Sequence, residues 1–361
     1  MFKKVLSFGI AALMTLALAA CGASSAKETT QAVAETELQT ETVSVETTAE
    51  VSAETEQESV TEEETTEEEP VAEASAPAIG TVPNTLAEDE SALVAAYADA
   101  FAQYTYEDEE TGLSIEYNLY LPEGYDDSGS YPLVVFIADS SVVGRPATAS
   151  LTQGRGALVW ASEEWQAVHP TIIAVPKYDV TVLDDHNGYT MTEYVELTKR
   201  FIDSLGSEYA VDTERVYGTG QSMGCMITLV LASEYPDLYA GCMLVDGQWD
   251  VSTLAGLEDQ TFVYFAAEDD SKAWTGAQEV MTMFDADAEP YAYAQWDGNW
   301  SVDELSEAAQ ELFIDDEQQY FISWASGTIQ ASGGGMGASY HMASFDYAYN
   351  CVAVMEWLFQ Q

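Results

Sequence analysis

Basic residues are scarce in this 361-residue chain, which has 10 Lys and Arg against 63 Asp and Glu. The formal net charge is −53 at pH 7, and such a field repels nucleic acid and other polyanions. Because 16 of the acidic and three of the basic residues precede residue 85, the rest of the chain carries −40. The composition argues against a nucleic-acid partner and indicates a highly soluble surface.

Cysteine and histidine are also rare, with four and three residues respectively. Beyond Cys21, the cysteines are Cys225, Cys242 and Cys351, which lack metal-ligand spacing, so we predict no metal site. Each lies in an apolar stretch, which favours buried thiols. A disulfide between two of them remains an alternative in an oxidising compartment.

Aromatic residues are absent from residues 22–84, which are mostly Glu, Thr, Ala, Ser and Val. Such a segment buries too little apolar surface to offset its ordering entropy, and its like charges keep it extended. We predict a disordered acidic linker over residues 22–84. At about 3.3–3.6 Å per residue, this linker could span at most roughly 200 Å.

Residues 1–21 have the pattern of a targeting segment. Lys3 and Lys4 precede an apolar run that ends at Ala20, as in a secretory signal peptide. The run Leu18-Ala19-Ala20-Cys21 resembles the lipobox of bacterial lipoproteins, and this resemblance implies that Cys21 carries lipid. The run is short for a membrane-spanning helix of about 20 residues. We therefore expect a lipid anchor on the extracytoplasmic face of the cell membrane.

Residues 85–361 have the length and pattern of one α/β domain. The spacing at residues 85–88 predicts a helix capping box, followed by an alanine-rich helical run to Tyr104. Strands and helices then alternate, which predicts a mostly parallel sheet with helices on both faces. The predicted strands are 113–120, 133–137, 171–175, 215–218, 242–245, 262–266 and 291–296, and the predicted helices are 192–205, 223–234, 275–284 and 351–359.

A segment of more than forty residues separates Trp296 from His341. It contains a predicted capped helix from Ser301, a strand-like stretch at 320–324 and a glycine-rich run at 333–337. Segments of this length are often functional or mobile. This one could cover a pocket or form a plain surface excursion.

The run Gly220-Gln221-Ser222-Met223-Gly224 follows a predicted strand and opens a predicted helix. This is the context of the nucleophile elbow of α/β hydrolases. A serine on so tight a turn has strained backbone angles, and side chains two positions away would collide. The motif therefore predicts an α/β-hydrolase fold with Ser222 as the nucleophile.

A serine nucleophile needs a base, and the chain order in this fold is serine, acid, histidine. His341 is the histidine that follows Ser222 in the sequence, so we predict that it is the base. The acid should follow the strand 262–266, where Asp269 and Asp270 compete and Asp270 is preferred. Asp246, at the end of the preceding strand, is the outside alternative.

The oxyanion and substrate contacts can be predicted by position in the fold. Met223 supplies an N–H at the helix N-terminus, and the loop after strand 133–137 supplies a second donor from Asp139 or Ser140. Many hydrolases carry His-Gly where this chain has Ala138-Asp139. Gln221, together with Gln248 and Trp249 near the carboxyl edge of the sheet, is predicted to contact substrate.

Three segments of the chain resemble the polyhydroxybutyrate-depolymerase and feruloyl-esterase-like hydrolases, some of which are described as predicted peptidases. They are residues 117–122, 215–224 and 341–345, and the resemblance extends from about Tyr104 to Gln360. In that family the acid follows a strand, a glycine and two further residues. Asp270 matches that position, although Ala267 replaces the glycine.

The resemblance implies cleavage of a small-molecule or polymer-linked ester through an acyl-enzyme, without metal or organic cofactor. Two other readings of the same residues stay open. A serine peptidase would use the same three side chains, and a catalytically degenerate surface-binding module would explain the missing His-Gly.

Overall fold

The computed structural model describes residues 79–83, 90–315, 317–331 and 339–361. The predicted signal peptide, Cys21, the linker up to residue 78 and the capping box at residues 85–88 lie outside these ranges. Among the described helices, none combines the length and apolar character needed to cross a membrane.

Parallel pairing dominates the central sheet. The strands are β1 (Ala102–Glu107), β2 (Ser114–Tyr120), β3 (Tyr131–Ile137), β4 (Ile172–Lys177), β5 (Leu183–Asp184), β6 (Thr190–Met191), β7 (Val211–Gln221), β8 (Gly241–Val245), β9 (Phe262–Ala267), β10 (Ala292–Trp296) and β11 (Gln319–Trp324). Nine of these described strands form one sheet in the order β1-β2-β4-β3-β7-β8-β9-β11-β10, while β5 and β6 form a small hairpin. β2 pairs antiparallel with β1 and β4, and the remaining pairs of the sheet are parallel.

Helices cover both faces of the sheet. They are α1 (Glu90–Tyr97), α2 (Glu163–Val168), α3 (Tyr194–Glu208), α4 (Met223–Glu234), α5 (Ser271–Asp287), α6 (Val302–Leu312), α7 (Tyr340–Ala348) and α8 (Val352–Leu358). Successive side chains of a strand point to opposite faces, so β3 contributes to two cores. Leu133 and Val135 pack in the core under α3, α4 and α5, whereas Val134 and Phe136 pack in the core that includes α8. The observed α/β-hydrolase architecture agrees with the prediction.

The predicted helical run to Tyr104 is wrong in its second half. α1 ends at Tyr97, and residues 102–107 form β1, which pairs antiparallel with β2. β1 is mostly exposed at the edge of the sheet, so it lacks the alternation of buried apolar residues that identifies a strand from sequence.

The segment between Trp296 and His341 extends the sheet. The predicted capping box is present at Ser301 and Glu304, where α6 begins. β11 lies between β9 and β10 and pairs parallel with both. Up to residue 331, therefore, this segment is structural rather than a cover for the pocket.

Residues 79–83 contact the folded domain, although the sequence pattern assigns them to the linker. The carboxylate of Glu356, buried in α8, accepts hydrogen bonds from the backbone N–H groups of Gly80, Thr81 and Val82 at 2.6, 2.8 and 2.7 Å. Val82 itself is buried in the core that includes α8. The domain therefore includes these five residues.

The three cysteines of the described domain are buried and free. Cys225, Cys242 and Cys351 form no disulfide, and burial raises the pKa of each thiol. They pack as small apolar side chains, as their sequence neighbourhoods indicate.

Candidate active site

Ser222 lies at the turn between β7 and α4. Its φ of 53° and ψ of −117° belong to a region that non-glycine residues rarely adopt. A Cβ on Gly224 would lie 1.9 Å from the carbonyl oxygen of Ile137, and one on Gly220 would lie 2.5 Å from the carbonyl carbon of Gly224. Both positions therefore require glycine, and the close approach brings the start of α4 against the loop that follows β3.

A hydrogen-bonded chain runs from Ser222 through His341 to Asp270. His341 lies in the first turn of α7, which Ser339 caps by accepting from the Met342 N–H. Its Nε2 is 2.8 Å from Ser222 Oγ, and its Nδ1 is hydrogen-bonded to Asp270 Oδ2. The three residues come from three separate segments of the chain, and the fold brings them together at the carboxyl edge of the parallel strands.

The two other candidate acids have different partners. Asp269 accepts hydrogen bonds from Ser326 Oγ at 2.6 Å and from the Gly327 N–H at 2.7 Å. Asp246 is fully buried, and its Oδ1 accepts from the Ala267 N–H at 2.8 Å. Asp270, the preferred candidate, is thus the one that contacts the imidazole.

Burial and neighbouring groups shift two pKa values at this site. Burial alone would lower the pKa of His341, but the hydrogen bond and the negative charge of Asp270 outweigh it, and the pKa is raised above its ordinary value. Burial raises the pKa of Asp246 to about 7, against the opposing effects of the Ser344 hydroxyl and the Ala267 N–H. Asp246 therefore adds less negative charge behind His341 than an ordinary carboxylate would.

The three residues predicted to supply oxyanion donors differ in their hydrogen bonds. The Asp139 N–H donates to Gln153 Oε1 at 3.1 Å, and the Asp139 carboxylate accepts from the Ser141 N–H. The Asp139 N–H is therefore already engaged. Ser140 and Met223 both line the cavity beside Ser222. In the described part of the chain, neither of their N–H groups donates to a backbone carbonyl in a turn, loop or cap. These two N–H groups are the remaining candidates.

A cavity of about 270 Å³ opens beside Ser222 and His341. Its walls include Leu183, Met226, Gln248 and Lys272, so Gln248 lies where the sequence predicts a pocket residue. The two other predicted substrate contacts are elsewhere. Gln221 is buried, with its side chain donating to Gln153 Oε1 at 3.0 Å. Trp249 is also buried, and its ring lies against Tyr189.

Asp185 links the β5–β6 hairpin to the rest of the cavity wall. Its buried carboxylate lies 2.5 Å from Lys272 Nζ and accepts from Gln248 Nε2. Asp184, Asp185 and His186 have possible metal-ligating atoms within 4.8 Å of one another. Because the Lys272 ammonium already pairs with Asp185, a metal cation would have to compete with it there.

The fold and the strained serine between β7 and α4 define an α/β hydrolase. The family described as "Putative esterase" matches residues 109–314, more than half of the chain. The protein therefore belongs to this esterase family.

Similarity to individual proteins covers shorter stretches. The chain is 29% identical over 126 residues to acetylxylan esterase A of Emericella nidulans, which is 30% of this chain and 40% of that protein. It is 39% identical over 49 residues to poly(3-hydroxyalkanoate) depolymerase C of Paucimonas lemoignei, which is 14% of this chain and 12% of that protein. The match thus spans less than half of either curated relative.

A solved structure is similar over more of the chain. The crystal structure of a thermostable esterase superimposes with a TM-score of 0.57 at 25% identity, covering 73% of this chain and 64% of that one. The similarity supports the family assignment.

Proposed function

We propose that this protein is an extracytoplasmic carboxylic ester hydrolase in which Ser222 is the nucleophile, His341 its general base and Asp270 the orienting acid. The observation that supports this most strongly is the unbroken hydrogen-bonded chain through both ring nitrogens of His341. A serine hydroxyl is a weak nucleophile, and an adjacent base activates it.

In the proposed acylation step, Ser222 Oγ attacks the ester carbonyl carbon while its proton passes to His341 Nε2. The Met223 and Ser140 N–H groups stabilise the resulting oxyanion, where a single donor is worth about 10²–10³ in kcat. His341 then gives the proton to the departing alcohol oxygen as the carbon–oxygen bond breaks, leaving an acyl group on Ser222. Asp270 stabilises the imidazolium and keeps its own charge.

Deacylation repeats the same steps with water as the nucleophile. His341 removes a proton from water as the water oxygen adds to the acyl carbon. When the intermediate collapses, His341 returns this proton to Ser222 Oγ and a carboxylic acid is released. This cycle balances with ester and water as reactants and acid and alcohol as products.

The proposed substrate is a small-molecule or polymer-linked ester with a short, uncharged acyl group. A cavity of about 270 Å³ is just below the range of about 300–1,000 Å³ that holds drug-sized ligands. Asp184 on one wall and the net negative charge of the chain disfavour a free carboxylate, whereas the charge of Asp185 is balanced by Lys272. The names of the two curated relatives, a xylan-acetyl esterase and a polyester depolymerase, are consistent with this class.

A fluorophosphonate probe tests the proposal on the full chain. We expect one adduct per molecule, located by mass spectrometry on the peptide with Ser222, and hydrolysis of acetyl or butyryl esters in preference to feruloyl esters. Because triad residues act as a unit, Ser222→Ala, His341→Ala and the double variant should each lose about 10⁴-fold or more in kcat.

Ser207→Ala, an exposed serine on α3, is the matched control and should keep wild-type activity. Cleavage of peptide bonds at rates comparable with those of matched esters would identify a peptidase instead. A folded wild-type protein that reacts with neither probe nor ester would support the binding-module alternative and overturn the enzyme proposal.

A further inference from the structure

Gln153 makes three side-chain hydrogen bonds next to the site. Its Oε1 accepts from the Asp139 N–H at 3.1 Å and from Gln221 Nε2 at 3.0 Å, while its Nε2 donates to Ser141 Oγ at 2.7 Å. Gln153 belongs to neither of the segments that it joins. One is the oxyanion loop, defined here as residues 138–143, and the other is the end of β7.

These two segments carry the two proposed oxyanion donors. Ser140 lies between the two loop residues that Gln153 contacts, and Met223 lies two positions beyond Gln221. The Gln153 carboxamide therefore spans the gap between the donors. By accepting from Asp139, it also engages that N–H and leaves the Ser140 N–H as the candidate donor of this loop.

We propose that Gln153 is a positioning residue that holds the oxyanion loop at a set distance from the nucleophile elbow. The position of Gln153 is given by its three hydrogen bonds. Its effect on the reaction rate rests on the proposed function. Oxyanion donors act only when they lie about 2.7–3.1 Å from the developing charge. A displacement of about 1 Å can cost on the order of 10²-fold in rate.

Apart from Gln153, contacts with the cores hold the loop at its ends. The loop has lost the His-Gly of many hydrolases and instead has Asp139, whose carboxylate is used within the loop by the Ser141 N–H. Gly224 approaches the loop from the other side, at the carbonyl oxygens of Ile137 and Ala138. That contact limits how close the loop can come, whereas Gln153 limits how far it can move away.

The test compares Gln153→Met, which keeps the length of the side chain but not its hydrogen bonds, with Thr152→Ala at the exposed neighbouring position. With a short-chain ester, Gln153→Met should lose about 10- to 100-fold in kcat with KM within about twofold of wild type. Binding of a boronic acid that forms a tetrahedral adduct on Ser222 should weaken by a similar factor. Thr152→Ala should match wild type in both measurements.

Hydrogen exchange gives a readout that does not depend on turnover. In Gln153→Met, the amides of residues 138–143 should exchange at least about tenfold faster, while amides of β7 remote from the site keep their rates. Should the wild type hydrolyse no ester, the proposed function fails, and this exchange measurement still decides whether Gln153 holds the loop.

Two results would overturn the inference. One is a Gln153→Met variant with wild-type kcat and wild-type exchange in the loop. The other is a lowered Tm with unchanged kcat and unchanged boronic-acid affinity, which would indicate that Gln153 contributes packing alone.

Discussion

At the scale of single residues, Asp270 uses its two carboxylate oxygens for different purposes. Oδ1 accepts from the Lys272 and Ala273 N–H groups at 3.3 and 3.4 Å and caps α5, while Oδ2 is hydrogen-bonded to His341. The cap fixes the orientation of the carboxylate before substrate binds. Asp269, one residue earlier, is engaged instead by Ser326 and Gly327.

Asp270→Asn should therefore lower kcat by about 10⁴-fold, the cost of a wrongly held histidine tautomer in a related triad. The amide oxygen can still cap α5, so the fold should be retained. Asp269→Asn should change kcat by less than about tenfold. Steady-state kinetics measures kcat for both variants, with Tm as the control for folding. A larger loss of kcat in Asp269→Asn than in Asp270→Asn would identify Asp269 as the triad acid.

The pH profile gives an independent check of the same contact. A histidine acts as a base only when neutral, and the pKa of His341 is raised in the folded protein because Asp270 outweighs the effect of burial. In the wild type, kcat/KM should rise with pH through a midpoint above the ordinary histidine value of about 6.5. Removing the Asp270 charge removes the largest effect that raises this pKa, so the residual activity of Asp270→Asn should have a lower midpoint. An unchanged midpoint would contradict this assignment.

At the scale of elements, the contact between residues 79–83 and α8 links the N-terminal end of the described domain to its last helix. Three backbone N–H groups converge on the one carboxylate of Glu356. Hydrogen bonds to a charged group are worth about 1.5–3 kcal/mol, more than neutral ones. The site of catalysis involves neither segment, so the contact should affect stability rather than chemistry.

Glu356→Ala should lower the free energy of unfolding by about 3 kcal/mol, because it removes the shared acceptor and leaves a small void. Chemical denaturation measures the loss, and limited proteolysis should cut within residues 79–83 faster than in wild type. Glu311→Ala, at an exposed position on α6, is the control and should change little. Wild-type stability in Glu356→Ala would mean that the contact is incidental.

At the scale of the whole molecule, the proposed location follows from the N-terminal sequence and the charge. In this proposal Cys21 holds the chain at the membrane, and the net negative charge of the chain disfavours contact with anionic lipid. A domain held in this way could reach an ester in a polymer without being released from the cell.

Cys21→Ser should abolish labelling by an alkyne fatty-acid probe and move the protein from the membrane fraction to the soluble fraction. The reason is that the thiol is the proposed lipid attachment site, whereas Ser24→Ala in the same segment should leave labelling unchanged. Esterase activity per molecule should be the same in both, since the proposed site lies far along the chain. Label retained on Cys21→Ser would contradict the anchor.

The sequence by itself determined the features that depend on neighbouring residues. The tight turn at Ser222 requires glycines two positions to either side, where a Cβ would collide with the backbone, so five contiguous residues encode the elbow. The buried parallel strands and the Ser301 cap of α6 are likewise local patterns. In this fold the base follows the nucleophile along the chain, and His341 is the one histidine that follows Ser222 in the sequence.

The tertiary structure decided the features that depend on which distant segments pack together. The insertion of β11 between β9 and β10, the pairing of edge strand β1 and the contact of residues 79–83 with Glu356 have no local signal. The same holds for Gln153, which lies 14 residues from Asp139 and 68 from Gln221. A hydrogen bond depends on distances of a few tenths of an ångström, and only the packed fold sets those distances between segments so far apart in the chain.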